Sequence, residues 1–205
     1  MKIELRNISK RFSDKVLFND FSTAIEHNSI TCIFGPSGCG KTTLLNIIGF
    51  LEAYKGEVLF DNKKISSNKE IRDFLSNKVS FIFQDFGLID NEKVTDNMLL
   101  VKNAKKRKGW KEDIASSLKE VGLAGFQDRV IYELSGGEQQ RVAIAKVIFK
   151  NADLILADEP TASLDAENKN AVLELFSWLK KEGKTIIIVS HDQELKAFSD
   201  YNIEL

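Results

Sequence analysis

The feature that most constrains the fold of this 205-residue chain is a glycine-rich segment between an apolar run and a helical pattern. The apolar run, residues 30–34, predicts a short buried strand, and apolar residues recur at helical spacing over residues 42–51. Between them stand Gly35, Pro36, Ser37, Gly38, Cys39, Gly40, Lys41, Thr42 and Thr43. A strand, a glycine-rich turn and a helix in this order predict a phosphate-binding loop, the alternative being a glycine-rich turn without a ligand.

The residue types in this loop suit a nucleotide with several phosphates. Glycines allow backbone N–H groups to curl around phosphate oxygens, and Lys41 is placed to reach the β and γ phosphates. Thr42 offers a hydroxyl to Mg²⁺. We therefore predict that a nucleotide with β and γ phosphates binds here together with Mg²⁺.

A second glycine motif, Leu134-Ser135-Gly136-Gly137-Glu138-Gln139-Gln140-Arg141, predicts a second phosphate site. The glycines allow close backbone approach, Ser135 offers a hydroxyl, and the following helix presents its positive end. The alternative is a loop before a helix. A chain that already has one phosphate loop needs another only if the nucleotide is held from two sides, so this motif predicts a dimer.

Two acidic residues follow a predicted buried strand at residues 154–157, at the strand end where open α/β sheets bind ligands. Asp158 is the candidate for holding Mg²⁺, and Glu159 is the candidate for orienting or deprotonating the attacking water. The alternative is that both acids only cap the turn before Pro160. His191 follows another apolar strand, residues 185–189, and is a candidate γ-phosphate contact, although a single histidine is more often structural.

Composition excludes several classes of protein. Hydrophobic residues make up 43% of the chain, charged residues 29%, and the net charge of -1 gives no general attraction to nucleic acid. No apolar run reaches the length of about 18 to 20 residues that a membrane-spanning helix needs. The N-terminus lacks a signal-peptide core, and the two cysteines suggest no structural disulfide. We expect a cytoplasmic protein.

Alternation of strand and helix patterns predicts an α/β fold with a mostly parallel sheet, preceded by strand regions at residues 3–8 and 16–25. Between residues 85 and 150 the pattern is mostly helical, at residues 94–104, 111–121 and 138–150. We interpret residues 1–205 as a single domain. In it, residues 1–84 and 151–205 form the nucleotide-binding core, and residues 85–150 are an inserted helical subdomain.

The ordered motifs resemble those of the ATPases of ABC (ATP-binding cassette) transporters over essentially the whole chain. Within that family, the chain is most similar to the compact bacterial ATPases that serve macrolide, lipoprotein and bacteriocin exporters. The matching pieces are the phosphate loop, Gln84, the Leu134 to Arg141 motif, Ala157 to Thr161, Ala162 to Asp165, and Val189 to Asp192. This resemblance implies a P-loop NTPase core of the RecA type with an N-terminal antiparallel β part. It also implies ATP hydrolysis with Mg²⁺.

The resemblance further implies an ATP-induced head-to-tail homodimer. Each ATP would lie between Lys41 of one subunit and Ser135 and Gly137 of the other, and Asp165 would cross the interface with its neighbours Ser163 and Leu164. Gln84 would contact Mg²⁺ or the attacking water. Phe12 stands where the family usually has a tyrosine that stacks on adenine; the alternative is an ordinary core or surface phenylalanine.

The resemblance predicts that the chain energises export of a peptide, bacteriocin, lipoprotein or drug through a separate permease at the inner face of the membrane. Alternatives are an ATP-dependent clamp on a non-transport membrane partner, as in cell division, and a DNA-repair or translation ATPase. The third is disfavoured because the chain has neither long coiled coils nor a second cassette. A basic cluster, residues 102–111, is either a solvated helix end or a contact for anionic lipid.

Overall fold

The computed structural model describes residues 1–13, 15–101, 104 and 108–205. Its strands, in chain order, are β1 (Ile3–Phe12), β2 (Lys15–Ile25), β3 (Ile30–Phe34), β4 (Lys55–Phe60), β5 (Lys63–Lys64), β6 (Val79–Ile82), β7 (Leu154–Asp158), β8 (Thr185–Ser190) and β9 (Tyr201–Glu204). Its helices are α1 (Lys41–Ile48), α2 (Asn68–Asn77), α3 (Val94–Met98), α4 (Trp110–Glu120), α5 (Gly136–Lys150), α6 (Ala166–Lys181) and α7 (Gln193–Phe198).

Five strands form a wholly parallel sheet in the order β6-β7-β8-β3-β9. Phe34, the last residue of β3, lies opposite Ser190, the last residue of β8, and Asp158 lies opposite Val189. The carboxyl ends of the three central strands therefore meet at one edge of the sheet. The phosphate loop, the acidic pair and His191 each follow one of these strands, so the fold brings them together.

A separate antiparallel sheet has the order β2-β1-β4-β5. Strands β4 and β5 are joined by Asp61 and Asn62, both with positive φ (48° and 64°), as a two-residue hairpin turn requires. The predicted fold class, a P-loop α/β fold with a mostly parallel sheet and an N-terminal antiparallel part, is confirmed.

The parallel sheet separates two hydrophobic cores because alternate strand residues point to opposite faces. Ile186 and Ile188 join a core with the helices α3 to α6, whereas Ile187 and Val189 join a core with α1 and the antiparallel sheet. All four side chains are fully buried. Burial on both faces explains why these strands are continuous apolar runs rather than alternating ones.

Helices α3, α4 and α5 lie within residues 85–150, and α4 packs on α5. The helix predicted over residues 94–104 is shorter in the structure, where α3 ends at Met98. The fully buried side chain of Asn97 donates to the carbonyls of Ile89 and Lys93 and accepts from the Ile89 N–H, which fixes the preceding loop. The division into a core and an inserted subdomain remains a prediction.

Two helices are absent from the sequence-based prediction. Helix α2 begins with a capping box in which Ser67 and Glu70 each bond the other's backbone N–H, and α7 is capped by Asp192.

Four members of the basic cluster, Lys102, Lys105, Lys106 and Arg107, lie outside the described residues. In the described part of the chain, no helix combines the length and the apolar content that a membrane span requires.

Candidate functional site

A cleft of about 700 Å³ opens at the carboxyl edge of the parallel sheet. It collects side chains from β1, β2, the phosphate loop and the ends of β6, β7 and β8. The lining residues are Phe12, Lys15, Leu17, Pro36, Ser37, Gly38, Gly40, Lys41, Thr42, Thr43, Gln84, Asp158, Glu159, Ala162 and His191. Most of the residues predicted from the first phosphate motif and the strand ends therefore share one cavity.

Helix α1 starts in this cleft without a protein cap. Its N-cap residue is Gly40, no side chain accepts from its first N–H groups, and its first turn contains no acidic residue. Every other described α-helix has a capping side chain, an acidic residue in its first turn, or both. The free N–H groups and the positive end of the helix dipole form a site for an anion such as phosphate.

Backbone geometry explains why residue 40 is a glycine. Its φ is 113°, a value that L side chains rarely adopt, and an added Cβ would lie 2.9 Å from the Phe18 ring. The next residue, Lys41, is buried and its Nζ donates to the carbonyls of Gly35 and Pro36, at 2.9 and 3.0 Å. The loop thus holds an ammonium group beside the uncapped helix start, where phosphate oxygens would replace these carbonyls.

Thr42 and Asp158 provide oxygen ligands of the kind that Mg²⁺ prefers. The Thr42 hydroxyl donates to Asp158 Oδ1 at 3.1 Å. Burial raises the pKa of Asp158, and the negative charge of Glu159 raises it further. The hydrogen bond from Thr42 and the positive charge of Lys41 act in the opposite direction and lower it. A cation beside this carboxyl group would stabilise its ionised form. Among the described residues, no three His, Cys, Asp or Glu side chains form a group that could hold a metal ion.

Glu159 is held by two neighbours and by a strained backbone. Its Oε1 is 2.8 Å from His191 Nδ1, and its Oε2 accepts from the buried Ser190 hydroxyl at 3.1 Å. Because an ionised carboxylate only accepts, the first bond requires the proton on Nδ1 and leaves Nε2 of the exposed ring available. Glu159 has a φ of 45° although it precedes a proline, and such strain is concentrated at functional positions.

This arrangement suits proton abstraction. The Glu159 side chain is only 14% exposed, yet it faces a cleft that holds a lysine and an uncapped helix. A fixed carboxylate beside a phosphate site can accept a proton from a water molecule. Ser190, which sequence reasoning did not single out, orients that carboxylate; its position in the Val189 to Asp192 motif was the available signal.

Phe12 and Gln84 both line the cleft. Phe12 is 46% exposed, belongs to the same wall as Lys15 and Leu17, and has the Lys10 ammonium 4.5 Å from its ring centroid. The sequence indicated Phe12 but did not predict that Lys15 and Leu17 line the cleft beside it. Gln84 lies in the exposed turn after β6. The roles of Phe12 in stacking and of Gln84 at Mg²⁺ or water remain predictions.

Four predicted contacts, Ser135, Gly136, Gly137 and Asp165, do not line this cleft. Ser135 is the N-cap of α5 and forms a capping box with Glu138, and Asp165 is the N-cap of α6. Gly35 and Cys39 also lie outside the cleft lining; they pack on one another, since a Cβ at Gly35 would be 2.8 Å from Cys39 Sγ. The second glycine motif therefore lies on a different surface of the subunit, outside the nucleotide cleft.

Comparison with known proteins gives a consistent result. Residues 18–162 match the family model described as ABC transporter. The chain is 38% identical to an uncharacterized ABC transporter ATP-binding protein, MJ1508, of Methanocaldococcus jannaschii, over 99% of this chain and 95% of the relative. It is 37% identical to the spermidine/putrescine import ATP-binding protein PotA of Mesoplasma florum, covering 94% of this chain. It is 36% identical to the macrolide export ATP-binding/permease protein MacB of Campylobacter jejuni, covering 99% of this chain.

The chain spans 55% of the PotA relative and 32% of the MacB relative. Among solved structures, it is similar to the dimeric bacterial ABC transporter cassette MJ0796, with a TM-score of 0.88 and 34% identity, over 99% of this chain and 94% of that one. A second structure of MJ0796, a dimer in a post-hydrolysis state bound to ADP and Pi, gives a TM-score of 0.87.

Replacing Glu159 by glutamine separates binding from chemistry. We expect Glu159→Gln to bind MgATP with unchanged affinity, because Lys41, Thr42 and Asp158 remain. Its rate of phosphate release should fall about a hundredfold to ten-thousandfold, the usual effect of losing a general base. Glu167→Gln, at an exposed position in the first turn of α6, is the matched control and should hydrolyse at the parental rate. Parental activity in Glu159→Gln would refute the catalytic assignment.

The two cysteines should differ sharply in reactivity. Cys32 is fully buried, and burial raises its pKa to about 11, so it forms little thiolate. Cys39 is half-buried between two cleft-lining glycines. We expect N-ethylmaleimide to modify Cys39 and abolish ATP binding, and bound MgATP to slow the reaction. Cys39→Ser should resist inactivation; loss of activity at the parental rate in that variant would show that Cys39 is not the target.

Proposed function

The chain belongs to the ABC transporter family of ATP-binding proteins, and we propose that it powers export through a separate permease. It is an ATPase whose cofactors are ATP and Mg²⁺. The ATPase role rests on the cleft in which an uncapped helix start, Lys41 and the fixed carboxylate of Glu159 meet. The likeness to the macrolide export protein MacB supports the proposal of export. We infer that Lys41 and the loop N–H groups bind the phosphates, Thr42 and Asp158 hold Mg²⁺, and Glu159 accepts the water proton.

We further propose that ATP joins two copies head to tail. Ser135, Gly136, Gly137 and Asp165 lie outside the cleft of their own subunit, which is what the two-sided arrangement requires. The first N–H groups of α5 and the Ser135 hydroxyl would then contact the phosphates bound by the other subunit. The solved MJ0796 cassette, described as dimeric, supports this arrangement by its likeness to the chain.

The permease would bind at a groove of about 300 Å³ between the edge strand β6 and helix α5. We call it the lysine groove. Its lining residues are Ser76, Ser80, Phe81, Phe83, Leu100, Val101, Lys146, Val147 and Lys150. Phe83 and Leu100 are large apolar side chains that are 41% and 54% exposed. Gln84, which lines the nucleotide cleft, directly follows Phe83, so one turn connects the two sites.

Charge indicates what kind of segment fits this groove. Lys146 and Lys150 donate to the carbonyls of Gly87, Leu75 and Val79, and neither forms an ion pair with a described carboxylate. Burial lowers the pKa of both lysines. The pKa of Lys150 falls to about 8, because the positive charge of Lys146 adds to the effect of burial. A partner segment with an apolar side chain and a carboxylate would cover the exposed rings and neutralise these charges.

We predict that a multi-span membrane protein co-purifies with the chain from detergent extracts and raises or lowers its ATPase rate. Lys146→Glu and Leu100→Asp should each reduce this association at least tenfold, because they oppose the charge and the apolar surface of the groove. Lys63→Glu, at an exposed position on β5, is the matched control. Association unaffected by both groove variants would place the docking surface elsewhere, and absence of any such partner would contradict a separate permease.

Direction of transport is tested in cells, since relatives at similar identity are named for export and for import. If the chain powers export, its deletion should lower the inhibitory concentrations of macrolides or antimicrobial peptides several-fold. A Glu159→Gln copy should fail to restore resistance while a wild-type copy succeeds. Unchanged sensitivity together with lost uptake of labelled spermidine would replace export by import.

A further inference from the structure

Asn168, a half-buried residue in the first turn of α6, joins the two motifs that lie outside the nucleotide cleft. Its side-chain Nδ2 donates to both carboxylate oxygens of Asp165, at 3.0 Å each. Its Oδ1 accepts from Arg141 Nη1 of helix α5 at 2.6 Å. One amide group therefore connects the N-cap of α6 with the helix that Ser135 begins.

The chemistry of the neighbours fixes the orientation of this amide. Arginine only donates hydrogen bonds, so the Asn168 oxygen must face Arg141, and an ionised carboxylate only accepts, so the Asn168 NH₂ group must face Asp165. Bonds from the Asn168 backbone N–H and side chain lower the pKa of Asp165 and keep it ionised. Neither aspartate, which lacks the donor, nor alanine at position 168 could satisfy both partners.

The same amide lies over the second glycine motif. A Cβ added at Gly137 would be 2.2 Å from Asn168 Oδ1 and 2.3 Å from Cγ, the carbon of the same side-chain amide. The glycine thus permits the close packing of α5 against the start of α6. Arg141 is three residues beyond Glu138, which closes the capping box of Ser135. Ser135, Gly137 and Asp165 are consequently held as one rigid surface rather than as two independent loops.

We propose that Asn168 is a positioning residue that holds Ser135, Gly137 and Asp165 in register for the nucleotide bound by the partner subunit. This inference rests on the proposed two-subunit site. Asn168 does not line the cleft of its own subunit; it would act on the nucleotide of the facing subunit through Gly137 and Asp165. Its replacement should weaken dimer closure and leave nucleotide binding by the single subunit intact.

The test uses the Glu159→Gln chain, in which slow hydrolysis preserves the ATP-bound dimer. The MgATP concentration that gives half-maximal dimer is measured by light scattering, and the monomer affinity for MgATP is measured at protein concentrations too low for dimerisation. We expect Asn168→Ala to raise the dimerisation midpoint about tenfold, equivalent to ~1.4 kcal/mol for each of the two nucleotide sites, with unchanged monomer affinity. Asn170→Ala, at an exposed position on the same helix, is the matched control and should leave both values unchanged.

Asn168→Asp distinguishes positioning from simple packing. It preserves the shape and the acceptor for Arg141 but places a second carboxylate against Asp165, so we expect a midpoint at least as high as that of Asn168→Ala. Recovery of the parental midpoint by Asn168→Asp would overturn the proposal, as would an unchanged midpoint in Asn168→Ala. A Glu159→Gln parent that stays monomeric with saturating MgATP would instead refute the two-subunit site, and the role of Asn168 with it.

Discussion

The structure depends on the parallel pairing of β3, β7 and β8, which brings three strand ends to one edge of a buried sheet. Each of these strands ends in a segment with polar groups: the phosphate loop, the acidic pair and the Ser190-His191 pair. Because strand registry sets Phe34 opposite Ser190 and Asp158 opposite Val189, groups more than a hundred residues apart in the chain come into hydrogen-bond contact. The apolar burial that fixes the sheet is thus also what assembles the site.

Local strain and uncapped polar groups are concentrated where this sheet meets the cleft. The positive φ of Glu159 before a proline and the free N–H groups of α1 are both unfavourable in a protein without a ligand. They persist because packing behind them is rigid, with α1 and the central strands buried in the same core. A bound polyphosphate with Mg²⁺ would satisfy the free N–H groups and neutralise Asp158, which links ligand binding to stability.

Two further surfaces lie outside the nucleotide cleft. The surface held together by Asn168 carries the second phosphate motif, and the lysine groove beside Phe83 adjoins the turn of Gln84. Both surfaces are built from helix α5, whose N-terminus bears Ser135 and whose last turns bear Lys146 and Lys150. A rigid helix of 15 residues therefore offers a physical path between the dimer surface and the proposed permease surface.

The sequence by itself determined the fold class, the phosphate loop, the acidic strand end and the strands that carry them, since each depends on local spacing and on apolar runs. It did not determine helices α2 and α7, whose start signals are short caps, nor the early end of α3 at Met98. Only the tertiary structure decided that Ser190 and His191 hold Glu159, that Cys32 is shielded, and that Asn168 bridges Arg141 and Asp165. Such contacts join residues distant in the chain, and their distances follow from packing rather than from any pattern along it.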